Sequence, residues 1–471
     1  MQIVSGQNMN YTVCYVTKED VMEIKNGGSF CEFYQGEYLN EQLLLIEDHR
    51  SILYIGVGAE DLKDANVIKE LAAKACREFA KRKIYDFQAD ISTIAQGGNP
   101  EALKLFVLGL QLASQGAKSF KSNHNKMEYQ IQFSGIGDMT PESVKRQIEE
   151  GLYLGKAVLF ARDMVNMPGN LLRPENFANH ICELLKETPV EVEIRSGKEL
   201  NNLGALITVG QSSKFPPYLL ILRYKGDPDT KEITGLVGKG VTSDTGGYCL
   251  KSSKSLTGNK GDMAGAAAVA GTIYALAKSN AKVNVTCVLP ICENRISDSS
   301  YLPGDVITSY SGTTIEIKNT DAEGRLILAD AMTVAVREEK VTRVLDIATL
   351  TGAVVGMLGF TYTGVLCDNE ALWEEFIEAS QRSGEKFWRL PFDKEHKRML
   401  ETPMADIKNM GEDFCGTITA GLFVRHFAED IPWIHLDIAG TAWLDTTYYE
   451  YQERFATGAP VETLYEWLHK S

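Results

Sequence analysis

Residues 313–339 read TTIEIKNTDAEGRLILADAMTVAVREE, in which a strand-like run leads directly into a helix-like run. The junction between the two runs carries two acids, Asp321 and Glu323, followed closely by Arg325. A strand that passes straight into a helix is the repeating step of an α/β fold. The stretch therefore predicts an α/β protein with charged side chains at a strand-to-helix turn.

The same alternation of strand and helix patterns extends in both directions from this stretch. Before it, helices are predicted at 66–83 and 100–116, between strand-like runs such as RSILYIGVG and YQIQFSG. In the first of these helices, Ile68, Leu71, Ala72 and Ala75 share one face. Later runs predicted as strands include EVEIRS, ALITVG, PYLLILRYK, KVNVTCVLPIC, RVLDIATL and WIHLDIAG. The pattern predicts mixed sheets flanked by helices.

The length of 471 residues favours two domains, because a single hydrophobic core rarely grows to this size. A long helix is predicted from about residue 141 to 165, and it ends before NMPGNLLRPEN, which is interrupted by prolines and a glycine. The boundary is therefore expected near residues 140–170. We take 1–150 as an N-terminal α/β domain and 151–471 as a C-terminal domain.

Composition and charge exclude several classes of protein. The formal net charge of -15 gives no bulk attraction to nucleic acid or anionic membranes. No apolar run is long enough to span a bilayer, and the N-terminus does not resemble a secretory signal. The nine cysteines are dispersed without a C-x-x-C pair, which is typical of reduced thiols. We therefore expect a cytoplasmic protein without membrane or nucleic-acid partners.

Charged residues gather where predicted strands of the second half end. In open α/β sheets, ligands bind in the crevice beyond the carboxyl ends of the strands. Three strand-to-helix junctions are therefore expected to converge on one crevice. They carry Lys239, Asp244, Lys251, Asp262, Asp321 and Glu323.

Four carboxylates in one crevice would repel each other, and their pKa values would rise. A pair of divalent cations removes that cost and can activate a water molecule and polarise a carbonyl or phosphoryl group. The seven histidines form no H-E-x-x-H pattern. An oxygen-rich set of ligands suits magnesium, manganese or a zinc pair.

Each of these residues also has an ordinary explanation when it is considered alone. Asp262 could cap a helix, Asp321 could be a turn residue, and Lys239 and Lys251 could be solvated surface lysines. The segment GKGVTSDTGG lacks the P-loop pattern, so phosphate binding is poorly supported. Residue types and spacing thus lead only to a suspected metal crevice.

Longer motifs add a resemblance. VGKGVTSDTGG (237–247), KGDMAGAAA (260–268) and NTDAEGRLILADA (319–331) resemble the leucine aminopeptidase (cytosol aminopeptidase) family. The resemblance continues through ARDMVNMPGN, DIATLTGA, ADIKNMG, GTITAG and HLDIAGTAW, and so covers residues from about 160 to the end. It implies a catalytic C-terminal domain of the leucine aminopeptidase type. The N-terminal third matches only in its fold pattern, that of a macro-domain-like α/β domain.

The resemblance implies two bound divalent metals, zinc or manganese, with magnesium and cobalt as alternatives. Lys239, Asp244, Asp262 and Glu323 would hold one metal, and Asp244, Asp321 and Glu323 the other. The backbone carbonyl of Asp321 would also contribute. Because a lysine coordinates only as a neutral amine, burial and adjacent cations would have to lower the pKa of Lys239.

The implied reaction is removal of N-terminal residues from short peptides by a water or hydroxide that bridges the two metals. Lys251 matches the family's catalytic lysine and would stabilise the oxyanion. Arg325 matches the arginine that anchors a bicarbonate ion acting as general base. Substrate-binding residues are expected at Asn259, Thr349, Leu350, Gly352 and Ala439.

Four positions depart from the family pattern, Ser243, Thr245, Ser252 and Asn259. TSDTGG replaces TFDSGG, LKS replaces LKP, and Asn259 occupies the place of a methionine that lines the pocket for the substrate's N-terminal side chain. An amide at residue 259 makes that pocket more polar, so a strict preference for leucine is not expected.

Two other functions remain open from the residues alone. A dinuclear, oxygen-rich site could also serve a two-metal phosphoesterase, and a non-catalytic binding member of the family is a further alternative. The resemblance also implies a homohexamer built as a dimer of trimers, with active sites facing an interior cavity.

Overall fold

The fold was examined in a computed structural model that describes residues 1–5, 9–26, 34–46, 50–115, 120–122 and 128–469. Cys31, His49 and His124 lie outside these residues. The chain divides into two compact units, and the division falls between Lys156 and Ala157. Unit 1 comprises Met1–Lys156, Arg382–Gly384 and Thr446–Arg454, and unit 2 comprises the remainder.

Unit 1 is a six-stranded sheet with helices, and its elements follow in chain order. They are β1 (Gln2–Ile3), β2 (Tyr11–Thr17), α1 (Lys18–Asn26), β3 (Glu41–Ile46), β4 (Arg50–Gly58), α2 (Ala65–Lys81), β5 (Asp86–Asp90), α3 (Ser92–Gln96), α4 (Ala102–Ser114), β6 (Gln130–Ser134) and α5 (Pro141–Asn166), whose last residues belong to unit 2. The strand order is β1-β6-β5-β2-β4-β3, and β3 alone runs antiparallel to its neighbour.

The predicted apolar face of α2 forms part of the core of unit 1. Ile68, Leu71, Ala72 and Ala75 are all fully buried. Asp64 caps this helix by accepting a hydrogen bond from the Asn66 amide. Helix α4 approaches α2 closely at Gly109, where a Cβ atom would lie 2.4 Å from the Lys69 carbonyl oxygen.

Unit 2 contains a nine-stranded sheet and most of the helices. Its elements are α6 (Pro174–Leu185), β7 (Glu191–Ser196), α7 (Gly204–Gly210), β8 (Tyr218–Lys225), β9 (Thr234–Gly238), β10 (Gly240–Asp244), α8 (Ser253–Leu256), α9 (Ala264–Lys278), β11 (Asn284–Asn294), β12 (Val306–Thr308), β13 (Thr314–Glu316), α10 (Glu323–Arg337), β14 (Arg343–Ala348), α11 (Gly352–Leu358), β15 (Thr363–Cys367), α12 (Glu370–Ser383), β16 (Phe387–Arg389), α13 (Lys394–Arg398), β17 (Ile407–Lys408), α14 (Gly416–Arg425), β18 (Trp433–Asp437), β19 (Trp443–Leu444), β20 (Phe455–Ala456) and α15 (Val461–Leu468).

The main sheet of unit 2 is mixed, with strand order β16-β15-β18-β14-β9-β11-β8-β7 and with β10 paired to the end of β11. The four central strands β18, β14, β9 and β11 run parallel. Helices cover this centre on both faces, because Val237 of β9 packs in the same core as Leu326 of α10, whereas the next residue, Gly238, lies against Ala266 of α9. The predicted fold class, mixed sheets flanked by helices, is confirmed in both units.

One predicted strand is wrong. ALITVG forms helix α7, whose buried residues pack beside α10. The first amides of this helix, those of Ala205 and Leu206, donate to the Asp330 carboxylate of α10 at 2.9 and 3.0 Å. A short apolar run does not distinguish a strand from a buried helix, and here a cap from a distant helix decides between them.

The described residues contain no helix that is both long and apolar enough to cross a membrane.

Candidate active site

A cavity of about 620 Å³ lies where strands β9, β10, β14 and β18 of unit 2 end. The structure brings every site residue predicted from the sequence to the wall of this one cavity. They are Lys239, Asp244, Lys251, Asn259, Asp262, Asp321, Glu323, Arg325, Thr349, Leu350, Gly352 and Ala439.

Three of the four carboxylates form a tight cluster. The ligand atoms of Asp244, Asp262 and Glu323 lie within 4.8 Å of one another. Asp321 joins the cluster through Lys251, whose ammonium pairs with Asp321 and lies 2.8 Å from Asp244 Oδ2. Asp244 ends β10 and Glu323 begins α10, so the cluster is built at element ends, as the strand-to-helix junctions predicted.

Asp244 is held in place by a residue that was not predicted from the sequence. The Asn294 side chain donates to Asp244 Oδ1 at 2.9 Å and to the Thr320 carbonyl oxygen at 2.9 Å. Asn294 is the last residue of β11 and is fully buried. A buried amide at the end of an apolar strand was the available signal, because such a group needs hydrogen-bond partners.

Lys239 lies in the bend between β9 and β10, and its side chain reaches the carboxylates of the cluster. Its Nζ lies 2.7 Å from Asp262 Oδ1 and 2.9 Å from Glu323 Oε1, and it donates to the Thr349 carbonyl oxygen at 3.0 Å. Gly324 makes this path possible, because a Cβ atom there would lie 2.4 Å from Lys239 Cε. The glycine of NTDAEGRL therefore lets α10 begin beside the lysine side chain.

The electrostatics of the cluster follow from burial and from mutual repulsion of the acids. Burial raises the pKa of Glu323 to about 8 and the pKa of Asp321 to about 6, and repulsion from Asp244 contributes to both shifts. Burial lowers the pKa of Lys239, but the attraction of Asp262 and Glu323 outweighs it, so the pKa is raised overall. Lys239 is thus an ammonium ion among the carboxylates, and it becomes a neutral ligand only where cations offset their charge.

The donor set fits divalent cations. Asp262 Oδ2 and Glu323 Oε2 are buried and receive no hydrogen bond from any described residue. Buried carboxylate oxygens without donors are costly, and a hard cation is the partner that such oxygens prefer. Lys239, Asp244, Asp262, Asp321 and Glu323 are the residues able to hold the metals.

Two cationic side chains flank the cluster. Burial lowers the pKa of Lys251, but the surrounding carboxylates raise it well above its ordinary value, so this side chain is an ammonium ion. Arg325 is buried, donates to the Asn409 carbonyl oxygen at 2.7 Å, and has no acceptor at Nε among the described residues. Burial lowers the pKa of Arg325 to about 10. An N–H without an acceptor in a buried guanidinium fits a small anion.

The rest of the cavity wall contains residues that the sequence predicted for the site and residues that it did not. The Asn259 backbone carbonyl accepts a hydrogen bond from the Asp244 amide at 3.1 Å, which sets this residue beside the cluster. Other residues of the wall lie within or beside the sequence motifs but had no role predicted for them. They include Val165, Met410, Glu412, Asp413, Phe414, Ala442 and Trp443.

Comparison with known proteins agrees with the geometry of the site. Residues 159–465 match the cytosol aminopeptidase family, catalytic domain. A probable cytosol aminopeptidase of Clostridium perfringens (strain 13 / Type A) is 38% identical over 437 residues, which cover 92% of this chain and 88% of the relative. A probable cytosol aminopeptidase of Bacillus subtilis (strain 168) is 37% identical over 399 residues, covering 83% and 80%.

A solved structure extends the similarity to the fold. The bottromycin maturation enzyme BotP in complex with Mn is 31% identical and has a TM-score of 0.88, with 98% of this chain and 99% of that chain covered. Sequence, fold and the composition of the cavity therefore lead to one conclusion, which the motifs had predicted. The chain belongs to the cytosol aminopeptidase family of hydrolases.

Proposed function

We propose that this aminopeptidase removes N-terminal residues from short peptides, with two divalent cations shared by the carboxylate cluster. The observation that carries the proposal is the convergence of Asp244, Asp262 and Glu323 within 4.8 Å, with buried oxygens that receive no hydrogen bond from the described part of the chain. Asp244 and Glu323 would contribute to holding both cations. Zinc and manganese are the first candidates, with magnesium and cobalt as alternatives, and the manganese in the similar BotP structure supports manganese.

When bound, the cations would polarise the scissile carbonyl and lower the pKa of the attacking water. Lys251 would place its ammonium beside the oxygen that becomes negatively charged, and would stabilise it. Arg325 would hold an anion, bicarbonate in our proposal, through its Nε–H, which has no acceptor among the described residues. Such an anion, held there, would supply a general base beside the cluster.

The N-terminal side chain of the substrate would lie against Asn259 in this proposal. Asn259 lines the cavity and is half-buried, and its side-chain amide would offer hydrogen bonds to a ligand. A polar pocket favours N-terminal residues that form those hydrogen bonds. A purely aliphatic side chain binds less well, because it leaves the polar group of the pocket unpaired. We therefore propose a preference that is broader and more polar than one for leucine.

The homohexamer, a dimer of trimers, also remains a proposal. Unit 2 exposes several large apolar side chains around α11, β15 and β16, namely Met357, Phe360, Tyr362 and Trp388. Exposed apolar groups of this size support self-association, and light scattering of the purified protein would measure the oligomeric mass. A cytoplasmic location, supported by the name of the relatives, and the absence of membrane and nucleic-acid partners belong to the same proposal.

The test is hydrolysis by protein stripped with a chelator and reloaded with manganese or zinc. Release of amino acids from dipeptides and aminoacyl reporters is expected, together with its loss in Asp321→Ala. Verified metal binding without peptide turnover would overturn the proposal. Phosphate esters offered in competition separate the alternatives, since their hydrolysis in place of peptides would identify a phosphoesterase.

A further inference from the structure

The Asp437 carboxylate lies beneath the cavity and outside the carboxylate cluster. It ends β18 and is fully buried. Its Oδ1 accepts hydrogen bonds from the backbone amides of Leu350 at 3.1 Å, Thr351 at 3.4 Å and Ala439 at 3.2 Å. Its Oδ2 accepts from the Thr351 hydroxyl at 2.6 Å. One side chain thus holds the two loops, after β14 and β18, that line the cavity.

The loop after β14 is fixed from its other side by the cluster. The Thr349 hydroxyl donates to Asp262 Oδ1 at 2.7 Å, and the Thr349 carbonyl accepts from Lys239 at 3.0 Å. The loop therefore lies between Asp437 on one side and the proposed metal ligands on the other.

Planarity of the peptide bond then fixes the direction of the loop carbonyls. A trans peptide unit directs its N–H and C=O to opposite sides. Because the Leu350 amide points at Asp437, the Thr349 carbonyl points away from Asp437. The hydrogen bond that this carbonyl accepts from Lys239 agrees with that direction. With the Thr351 amide also directed at Asp437, the Leu350 carbonyl faces away in turn, and Leu350 lines the cavity.

We infer that Asp437 is a positioning residue, which keeps the Leu350 carbonyl directed into the cavity as an acceptor for a backbone N–H of the peptide substrate. The inference rests on the proposed peptidase function. All four hydrogen bonds to the Asp437 side chain come from donors, so this residue acts as an acceptor, with the three amides at Oδ1. A substrate held in register by this carbonyl meets Lys251 and the cluster in the geometry that the reaction needs, and a shift of about 1 Å in such positioning can cost roughly a hundredfold in rate.

Asp330 provides a matched control. It is also fully buried and also accepts backbone amides, those of Ala205, Leu206 and Tyr310, at 2.9, 3.0 and 2.7 Å. It holds α7 and does not line the cavity. Removing either carboxylate disturbs a comparable network, but only Asp437 supports the loop at the substrate.

The kinetic test compares Asp437→Ala, Asp437→Asn and Asp330→Asn in metal-loaded protein. Asp437→Ala is expected to lower kcat/KM for a dipeptide by about a hundredfold with metal content unchanged. Asp437→Asn retains an oxygen for the three amides and is expected to recover most of that loss, whereas Asp330→Asn stays within about threefold of wild type. A loss in Asp437→Ala no larger than that in Asp330→Asn, no recovery in Asp437→Asn, or loss of metal from Asp437→Ala would overturn the inference.

Binding separates this inference from the proposed catalysis. A set of non-hydrolysable peptide analogues, N-methylated at one backbone position at a time, is titrated into the metal-loaded wild type and Asp437→Ala. Methylation at one position is expected to weaken binding to wild type by about tenfold, and to the variant by less than about twofold. The same loss in both proteins would exclude the role, even if wild type turned over no peptide. If Asp437→Ala does not fold, Thr351→Val takes its place under the same criteria. It removes the hydroxyl that donates to Asp437 Oδ2, accepts from the Val354 amide at 3.2 Å and pairs with the Thr417 hydroxyl at 3.0 Å.

Discussion

Each unit of the chain places a cavity at the carboxyl ends of parallel strands, yet the two cavities differ in chemistry. The cavity of unit 1 lies at the ends of β5 and β6 and, like that of unit 2, measures about 620 Å³. Its described wall is made of glycines, small polar residues and apolar residues, with one exposed acid, Asp138. The wall of the unit 2 cavity contains six acids, two lysines and an arginine, and four of the acids pair with the two lysines. Strand topology supplies the cavity, and the buried charges supply the reactivity.

The largest expected effect tests whether the charges distinguish the two cavities. Glu323→Ala removes a carboxylate at the centre of the cluster, and is expected to release metal and to lower kcat/KM by roughly a thousandfold or more. Asp138→Ala, the acid of the other cavity, is expected to leave both quantities within about twofold of wild type. Metal analysis and steady-state kinetics measure them, and a comparable loss in both variants would break the distinction.

A smaller effect is expected at the ammonium group of the same cavity. Lys251→Met removes the cation proposed to stabilise the oxyanion and should lower kcat by about a hundredfold to a thousandfold while both metals remain bound. Lys254→Met, on the exposed helix α8, is the control and should keep wild-type kinetics. Loss of metal from Lys251→Met would show that this lysine organises the cluster instead.

The pH dependence of the metal-free protein provides a third test. Glu323 has a pKa of about 8 in the folded chain against an ordinary 4.5, so the folded state binds this proton more tightly than the unfolded state. Stability of the metal-free protein should therefore fall as the pH rises from about 4.5 to about 8.

The metal reverses this trend, because it competes with protons for the same oxygens. Its affinity should rise between pH 6 and pH 8, by up to about tenfold per pH unit for each proton displaced. Calorimetric titration with manganese at several pH values measures this change. An affinity independent of pH would contradict the raised pKa values of Glu323 and Asp321.

The smallest expected effect concerns substrate choice. Asn259→Met should shift the ratio of kcat/KM for N-terminal leucine over a polar residue of similar size by about tenfold toward leucine. Asn259→Ala, which removes the amide without adding an apolar surface, should shift the ratio less. A peptide library at fixed metal measures both ratios, and an unchanged ratio in Asn259→Met would remove residue 259 from the substrate pocket.

The sequence predicted most elements because their periodicity is local. The buried face of α2 and the long helix α5 follow from spacing within a single segment. ALITVG was assigned wrongly because its structure depends on Asp330, a residue far along the chain that caps it as helix α7. The residue pattern within a segment gives no information on a hydrogen-bond partner that lies far along the chain.

The candidate site divides in the same way. The sequence by itself determined the residue types and the acids and lysines at strand ends, because these depend on neighbours along the chain and on recognisable motifs. Only the tertiary structure decided the rest: the 4.8 Å cluster, the burial that raises the pKa of Glu323, and the support of the loops by Asn294 and Asp437. Distance, burial and hydrogen bonding arise between segments that are remote in sequence, and these three quantities convert a set of charged residues into a site.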